Sequence, residues 1–280
     1  MSGPAARGAP CPPTPAALRA LAVDVARAAG DLLLAARDDG AGLSRLASAA
    51  TRKSSRTDLA TDADRASEEL VRSRIAASRP GDAILGEEGG TVAGTTGLTW
   101  VVDPLDGTTN FVYDLPLWTV SVAVADSSGT LAGAVHHPLG DETFSAARGL
   151  GAALGDRPLR ARAAPVLSEA LVGTGFSYES RRRSDQARVL GSVLPAVRDI
   201  RRGGSAALDL CWLAAGRMDA FYEAGLKPWD RAAGLLVAHE AGIASCDLDG
   251  PAPGETTLVA APPGLLDELA ALLHGASPAC

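Results

Sequence analysis

The run WVVDPLDGTTNF, from Trp100 to Phe111, ends an apolar segment in two aspartates, Asp103 and Asp106, with Gly107, Thr108 and Thr109 directly after them. Two carboxylates on a tight turn, beside small residues that can offer backbone N–H groups, suit a hard cation holding a phosphate. The same residues also make an ordinary polar turn, because Asp-Gly and Thr-Asn are common turn formers. An EF-hand loop does not fit, since the alternating Asp/Asn ligands before the glycine are missing and no Glu follows at the required place. Chemistry at this turn therefore needs further carboxylates to converge on it. Glu87 and Glu88 follow the apolar run 83–85, Asp64 follows the polar stretch 52–62, and Asp230 opens a helical pattern after Lys227-Pro228-Trp229. Singly, each reads as a surface charge, and Asp230 as a helix cap. Glu87, Asp103 and Asp106, however, all end apolar strands, which is where α/β proteins place their sites.

The elements that must position these groups follow from periodicity. Trp100, Val101 and Val102 suit a buried strand, and Pro104, which has no N–H, is expected to turn the chain out of the sheet. Thr14-Pro15 starts a first amphipathic helix that runs to about Arg37, and a second passes through Leu70, Val71 and Ile75 before Arg79-Pro80-Gly81. Runs 119–125 and 131–135 flank Asp126-Ser127-Ser128-Gly129 as a hairpin, and 142–147 extends an antiparallel sheet. In the second half, strands at 171–176, 198–202, 219–223 and 257–260 alternate with helices at 185–197, 205–215 and 229–241 and one at the C-terminus. This order predicts layered α/β sheets rather than a pure Rossmann repeat. Residues 1–14, biased to Pro, Gly and Ala, are expected to be a disordered tail; 15–280 would form one domain of two lobes, 15–150 and 151–280, with the site between them.

Bulk properties narrow the function classes. A net charge of −7 and a pI near 5.1 disfavour nucleic-acid binding through phosphates. An anionic small substrate is tolerable only where a local positive centre such as a metal reverses the field. The N-terminal stretch lacks the apolar core of a signal peptide, and no run reaches the ~20 apolar residues of a spanning helix. The four cysteines are scattered without a C-x-x-C pair. A reduced cytoplasmic protein with no membrane partner is expected.

Taken together, these segments resemble the inositol monophosphatase family of metal-dependent, lithium-sensitive phosphatases. One family signature matches WVVDPLDGTTNF; a second matches Trp229-Asp230-Arg231-Ala232-Ala233-Gly234 continuing to Glu240-Ala241-Gly242. Gly86-Glu87-Glu88 and the stretch 53–64 match two further family segments, so the similarity covers the chain from about residue 15 onward. The resemblance implies a sandwich of alternating helix and sheet layers, α-β-α-β-α, and a homodimer. It implies two or three Mg²⁺ ions, the first held by Glu87, Asp103 and the Leu105 carbonyl, the second by Asp103, Asp106 and Asp230. Gly107 and Thr108 would offer N–H groups to the phosphate. Thr108 and Asp64, with Thr61, would orient the attacking water; Glu88 would lie behind the ligands, and Lys53 would belong to a mobile flap.

For the substrate, Thr109-Asn110-Phe111 resembles the inositol-directed group, whereas nucleotide- and histidinol-directed relatives more often carry Lys or Arg after that threonine. The run 200–223 also resembles bacterial inositol monophosphatases, with Glu223 matching the acceptor of inositol hydroxyls and Gly204, Ser205 and Ala206 the other sugar-facing segment. The implied activity is hydrolysis of myo-inositol 1-phosphate, a small phosphorylated polyol. Histidinol phosphate and fructose 1,6-bisphosphate are the alternatives, and a regulatory protein bound to the transcription machinery is the alternative of another class. Arg181-Arg182-Arg183 reads either as a solvated run or as a contact for a second anionic group, which would favour a bisphosphate. His136 and His137, at a strand end beside Pro138, read as structural or exposed rather than as ligands.

Overall fold

The computed structural model describes residues 13–38, 51–52, 59–249 and 256–276. Lys53 and the tail up to residue 12 therefore lie outside the described residues. Helix α1 (Pro15–Asp38) begins where Thr14 Oγ1 accepts a hydrogen bond from the Ala17 N–H at 3.2 Å. Its Leu18, Ala22, Val25, Ala29 and Leu33 recur at helical spacing and are all buried. The two-residue strands β1 (Thr51–Arg52) and β2 (Leu59–Ala60) pair antiparallel, and α2 (Asp62–Ser78) follows at once.

A first sheet of eight strands is then laid down. Its strands are β3 (Ala83–Gly86), β4 (Gly90–Val92), β5 (Thr99–Asp106), and, after the short helix α3 (Thr108–Val112), β6 (Thr119–Asp126), β7 (Gly129–His137), β8 (Glu142–Ala147), β9 (Ala152–Leu154) and β10 (Arg157–Pro158). Their spatial order is β10-β9-β8-β7-β6-β5-β3-β4. The β6–β7 hairpin turns on Ser127 and Ser128, as its turn chemistry predicts, with Asp126 opposite Gly129. The second sheet, of order β12-β11-β13-β15-β14, contains β11 (Leu171–Thr174), β12 (Asp199–Arg201), β13 (Ala220–Ala224), β14 (Ala244–Asp249) and β15 (Thr256–Ala261). Between them run α4 (Ser180–Val193), α5 (Ala206–Ala214) and α6 (Pro228–Glu240), and α7 (Pro263–Ala276) closes the described chain.

Three cores show how the layers stack, because the period-two alternation of each strand divides its side chains between them. Trp100 and Val102 of β5 pack with α1 and α2. Val101, one residue between, packs with α5 and α6 and with Phe221, Leu258 and Ala260 of the second sheet. On that sheet's far face Tyr222, Val259 and Ala261 meet Leu265, Leu269 and Leu273 of α7. The order is α1/α2, first sheet, α5/α6, second sheet, α4/α7: the five alternating layers expected.

Several details differ from expectation. Strand β5 continues to Asp106 instead of leaving the sheet at Pro104. Asp103 pairs with Ser121 and Asp106 with Thr119, so Pro104 and Leu105 face a single residue across a bulge. In a strand paired on both sides, a bulge is a place where a missing N–H does no harm. Helix α4 starts at Ser180, ahead of the expected 185, and ends at Val193. Its exposed arginine-rich first turn carries no apolar periodicity to betray it. Strand β14, half-buried and polar along an edge, has no counterpart in the sequence reading.

One polar cluster fixes β3 against β5. Asp82 accepts from Arg79 Nε and Nη2, both at 2.9 Å, from Thr96 Oγ1 at 2.6 Å and from the buried Trp100 Nε1 at 2.9 Å. Burial opposes its charge, but Arg79, Thr96 and Trp100 outweigh it and hold the carboxyl below the ordinary range. Asp82→Ala should cost roughly 3 kcal/mol of stability in urea unfolding, because it strands the Trp100 and Arg79 donors. A carboxyl lowered in this way stabilises fully above the unfolded aspartate value of about 3.9, and that contribution is lost as pH falls through the folded value. The gap between parent and variant should therefore close in acid; a gap independent of pH would contradict the assignment.

Candidate active site

The bulge at Pro104 is held by a local contact and by a contact to α2. Asp103 Oδ1 accepts from the Leu105 N–H at 3.1 Å, and the Pro104 carbonyl accepts from Ser67 Oγ of α2 at 2.8 Å. The chain then turns sharply at Gly107, whose φ of 96° lies in the left-handed region. A Cβ there would also stand 2.9 Å from the Leu117 carbonyl oxygen, so only glycine fits on both counts. Thr108 is thereby placed so that Oγ1 lies 3.0 Å from Asp64 Oδ1 and 3.1 Å from the Leu105 carbonyl oxygen.

Asp64 is fully buried and belongs to the first turn of α2. Its Oδ2 accepts from the Thr61 N–H at 2.8 Å and from Thr61 Oγ1 at 2.5 Å, while Thr61 Oγ1 caps the helix. A capping box thus doubles as the support of a carboxylate whose other oxygen faces Thr108.

Asp106 is held from across the molecule. Its Oδ2 accepts from Ser205 Oγ at 2.7 Å and from the Ala207 N–H at 2.8 Å, both at the start of α5. Ser205 also caps α5 through the Leu208 N–H and touches Thr119 Oγ1 at 3.1 Å. Ser205, expected to face the sugar, is fully buried and its hydroxyl is committed to Asp106. Ala206 is buried as well. Gly204, with φ of 93°, leaves room for the Arg202 guanidinium, since a Cβ there would be 2.7 Å from Arg202 Nη1. Asn110 likewise serves the framework, its Nδ2 donating to the Leu117 carbonyl at 2.5 Å and the Gly203 carbonyl at 2.9 Å.

Glu87 follows β3, its N–H donating to the Val102 carbonyl of β5 at 3.3 Å. Asp230 lies in the first turn of α6, where Oδ2 accepts from the N–H of the N-cap residue Lys227 at 2.6 Å. A cleft is lined by Glu87, Glu223, Asp230, Trp229, Tyr178 and Arg182. Glu223 lies so close over Gly175 that a Cβ there would be 2.1 Å from its carboxyl carbon.

The electrostatics show what these groups lack. Burial, and then the charges of Glu87, Asp106 and Asp230, push the Asp103 carboxyl far up. Burial raises Asp106 to about 6, against the donors Ser205, Ala207 and Ala206 and the Arg202 charge. Asp230 reaches about 8 through burial and then Asp106. Glu223 also rises well above the ordinary value through burial and then Asp230, Asp209 and Asp106, with Arg202 opposing. Carboxyls that raise one another have too little positive charge among them. The donor set is all oxygen, which suits a hard divalent cation. Among the described residues no three of these groups already stand together as a metal-holding set.

Three contributors lay outside the sequence reading. Arg202 is the cation beside Asp106, Asp209 and Glu223, hidden in a run of two arginines. Asp209, buried on α5, is raised to about 8 by burial and by Asp106. Glu68 lies one turn beyond Asp64 on α2, a spacing that could have singled it out. His136 and His137 are framework residues: the former meets Thr143 Oγ1 at 2.9 Å, the latter the Pro116 carbonyl at 2.7 Å. No helix among the described residues is long and apolar enough to cross a membrane.

Comparison with known proteins bears on this geometry. The family model described as the inositol monophosphatase family matches residues 15–277. Inositol-1-monophosphatase SuhB of Mycobacterium tuberculosis is 48% identical over 274 residues, covering 93% of this chain and 94% of that protein. The solved structure of Mycobacterium tuberculosis SuhB superposes with a TM-score of 0.79 at 42% identity, covering 94% of this chain and 98% of that one. The protein named Nus factor SuhB of Xylella fastidiosa is 39% identical over 229 residues, covering 81% of each. The family is generally metal-dependent. The chain belongs to the inositol monophosphatase family and is a phosphoric monoester hydrolase.

Proposed function

We propose that this chain hydrolyses a small phosphorylated polyol, myo-inositol 1-phosphate, in a Mg²⁺-dependent reaction at a site between lobes 15–150 and 151–280. The observation that carries the reading is the line of contacts from Thr61 through Asp64 to Thr108 beside the Glu87–Asp103 pair. It sets a proton acceptor next to a group of carboxylates that lacks positive charge. Glu87, Asp103 and the Leu105 carbonyl would hold one Mg²⁺ and Asp103, Asp106 and Asp230 another. Bound there, the metal would make a water a better nucleophile and neutralise charge on the phosphate oxygens.

The rest falls to the protein. Thr108 Oγ1 takes a proton from the attacking water as its own passes to Asp64 Oδ1, 3.0 Å away. Thr61 keeps Asp64 oriented by occupying its other oxygen. The water oxygen bonds to phosphorus as the ester P–O bond breaks, and the departing alkoxide takes up a proton from solvent. Backbone N–H groups of Gly107 and Thr108 face the phosphate, and Glu223 accepts from polyol hydroxyls beside the Gly204 backbone. The active form is a homodimer in the cytoplasm; light scattering tests the dimer.

Phosphate release by the purified chain should be activated by Mg²⁺ and inhibited by Li⁺. Among inositol 1-phosphate, histidinol phosphate and fructose 1,6-bisphosphate, the first should give the highest kcat/KM. A higher value for the bisphosphate would reassign the substrate and point to Arg182, which lines the cleft. Release from none of the three would overturn the substrate assignment. A second reading, binding to the transcription machinery, rests on the relatives named Nus factor SuhB. Its test is capture of RNA polymerase in a native pull-down.

A further inference from the structure

Helix α2 carries three consecutive contacts on one face, Asp64, Ser67 and Glu68, at the i, i+3, i+4 spacing that aligns side chains along a helix. All three are buried, with Glu68 only 3% exposed. Asp64 meets Thr108 and Ser67 holds the Pro104 carbonyl. Glu68 is the remaining contact, and the reaction outlined above gives it no task.

Its carboxylate is held by the turn that follows β3 and by Arg72 of its own helix. Oε2 accepts from the Glu88 N–H at 2.8 Å; Oε1 accepts from the Gly89 N–H at 2.8 Å and from Arg72 Nε at 2.7 Å. Arg72 Nη2 donates in turn to the Gly90 carbonyl at 2.6 Å. The glycines on either side of Glu87 and Glu88 record how tightly the turn lies on this pair. A Cβ at Gly86 would come within 2.5 Å of Glu68 Oε1, and one at Gly89 within 2.7 Å of the same atom. Neither glycine has a left-handed φ, so close approach and not backbone freedom requires them. Glu87 is thus fixed from both sides, by β5 through its own N–H and by Glu68 through the two residues after it.

We propose that Glu68 is a positioning residue: together with Ser67 it sets the separation between the Glu87 turn and the Asp103–Asp106 bulge, and so sets the affinity of the carboxylate group for its divalent cation. One rigid helix face grips both loops, so the distance between them is inherited from the α-helical repeat rather than from loop packing. The inference rests on the metal-dependent reading above. Burying a carboxylate is costly unless it is fully hydrogen-bonded, and three donors from two elements satisfy it here.

Glu68→Gln tests it, because glutamine keeps the shape but turns an N–H₂ toward a backbone N–H or Arg72. Mn²⁺ binding read by electron paramagnetic resonance, without substrate, should weaken roughly tenfold, as is usual when the groups behind a metal ligand are disturbed. The Mg²⁺ concentration for half-maximal phosphate release should rise by a similar factor. At saturating Mg²⁺ the KM for inositol 1-phosphate should stay within about twofold of the parent, since the substrate contacts are untouched. Glu68→Asp, too short to reach both N–H groups, should not restore the affinity. Should Glu68→Gln fail to fold, Ser67→Ala provides the test by releasing the Pro104 carbonyl alone, with a smaller loss of Mn²⁺ affinity. Parental Mn²⁺ affinity in a folded variant, with only the melting temperature lowered, would reduce Glu68 to a structural group and overturn the proposal. Failure of the parent chain itself to bind Mn²⁺ would instead overturn the metal-dependent reading.

Discussion

Replacing Asp103 with Asn should abolish Mg²⁺-dependent phosphate release while leaving the metal-free protein as stable as the parent, or more so. Asp103 is the carboxylate shared by the two proposed cation positions, so its loss weakens both. Loss of several kcal/mol of metal-derived stabilisation in the transition state corresponds to on the order of 10³-fold in kcat/KM. The stability effect has the opposite sign. Burial and the neighbouring Glu87, Asp106 and Asp230 all penalise the ionised form, and a neutral amide removes that penalty. Phosphate release and thermal melting in a chelator should therefore move apart. A variant that loses activity and melts earlier would show that Asp103 mainly supports the fold.

Thr108→Ala should lower kcat by roughly 10² to 10⁴, the range for a group that relays a proton in the transition state. Its hydroxyl touches Asp64 Oδ1 and the Leu105 carbonyl but carries no charge, so the cation sites keep all their carboxylates. The Mg²⁺ dependence should consequently be little changed, in contrast to Glu68→Gln. Thr108→Ser, which restores the hydroxyl without the methyl, should recover most of the rate. If serine fails where alanine fails, the methyl packing matters and the proton relay through Thr108 is wrong.

Much of this arrangement was legible because local chemistry and global fold agree along the segments concerned. Trp100, Val101 and Val102 read as a buried strand, and the structure divides them between two cores by simple alternation. The helix start at Thr14-Pro15 was visible as a cap, whereas the cap that Thr61 provides was not singled out. Pro104 was misleading: read alone it ends a strand, whereas the partner strand accommodates it in a bulge, and pairing register is not a local property. Ser205 was legible as important, but its contact with Asp106 was not. Its link to Asp106 spans 99 residues of chain and has no periodicity to reveal it. The same holds for Arg202, whose charge acts on Asp106, Asp209 and Glu223 only after α5 and β13 have folded beside it. Strand β14 escaped because an edge strand need not be apolar.

The hydrogen bonds from Ser205 and Ala207 to Asp106 bear on how such a protein can be inherited. A gene fragment that stops before β12 would encode Glu87, Asp103, Asp106 and Thr108 without error. Its product would still leave the Asp106 carboxylate stripped of those two donors, with Asp230 missing as well. Recombination that exchanges the N-terminal and C-terminal halves between unrelated partners breaks the centre even where every codon of the signature survives. The motif is contiguous on paper, but the unit on which selection acts is the whole sandwich.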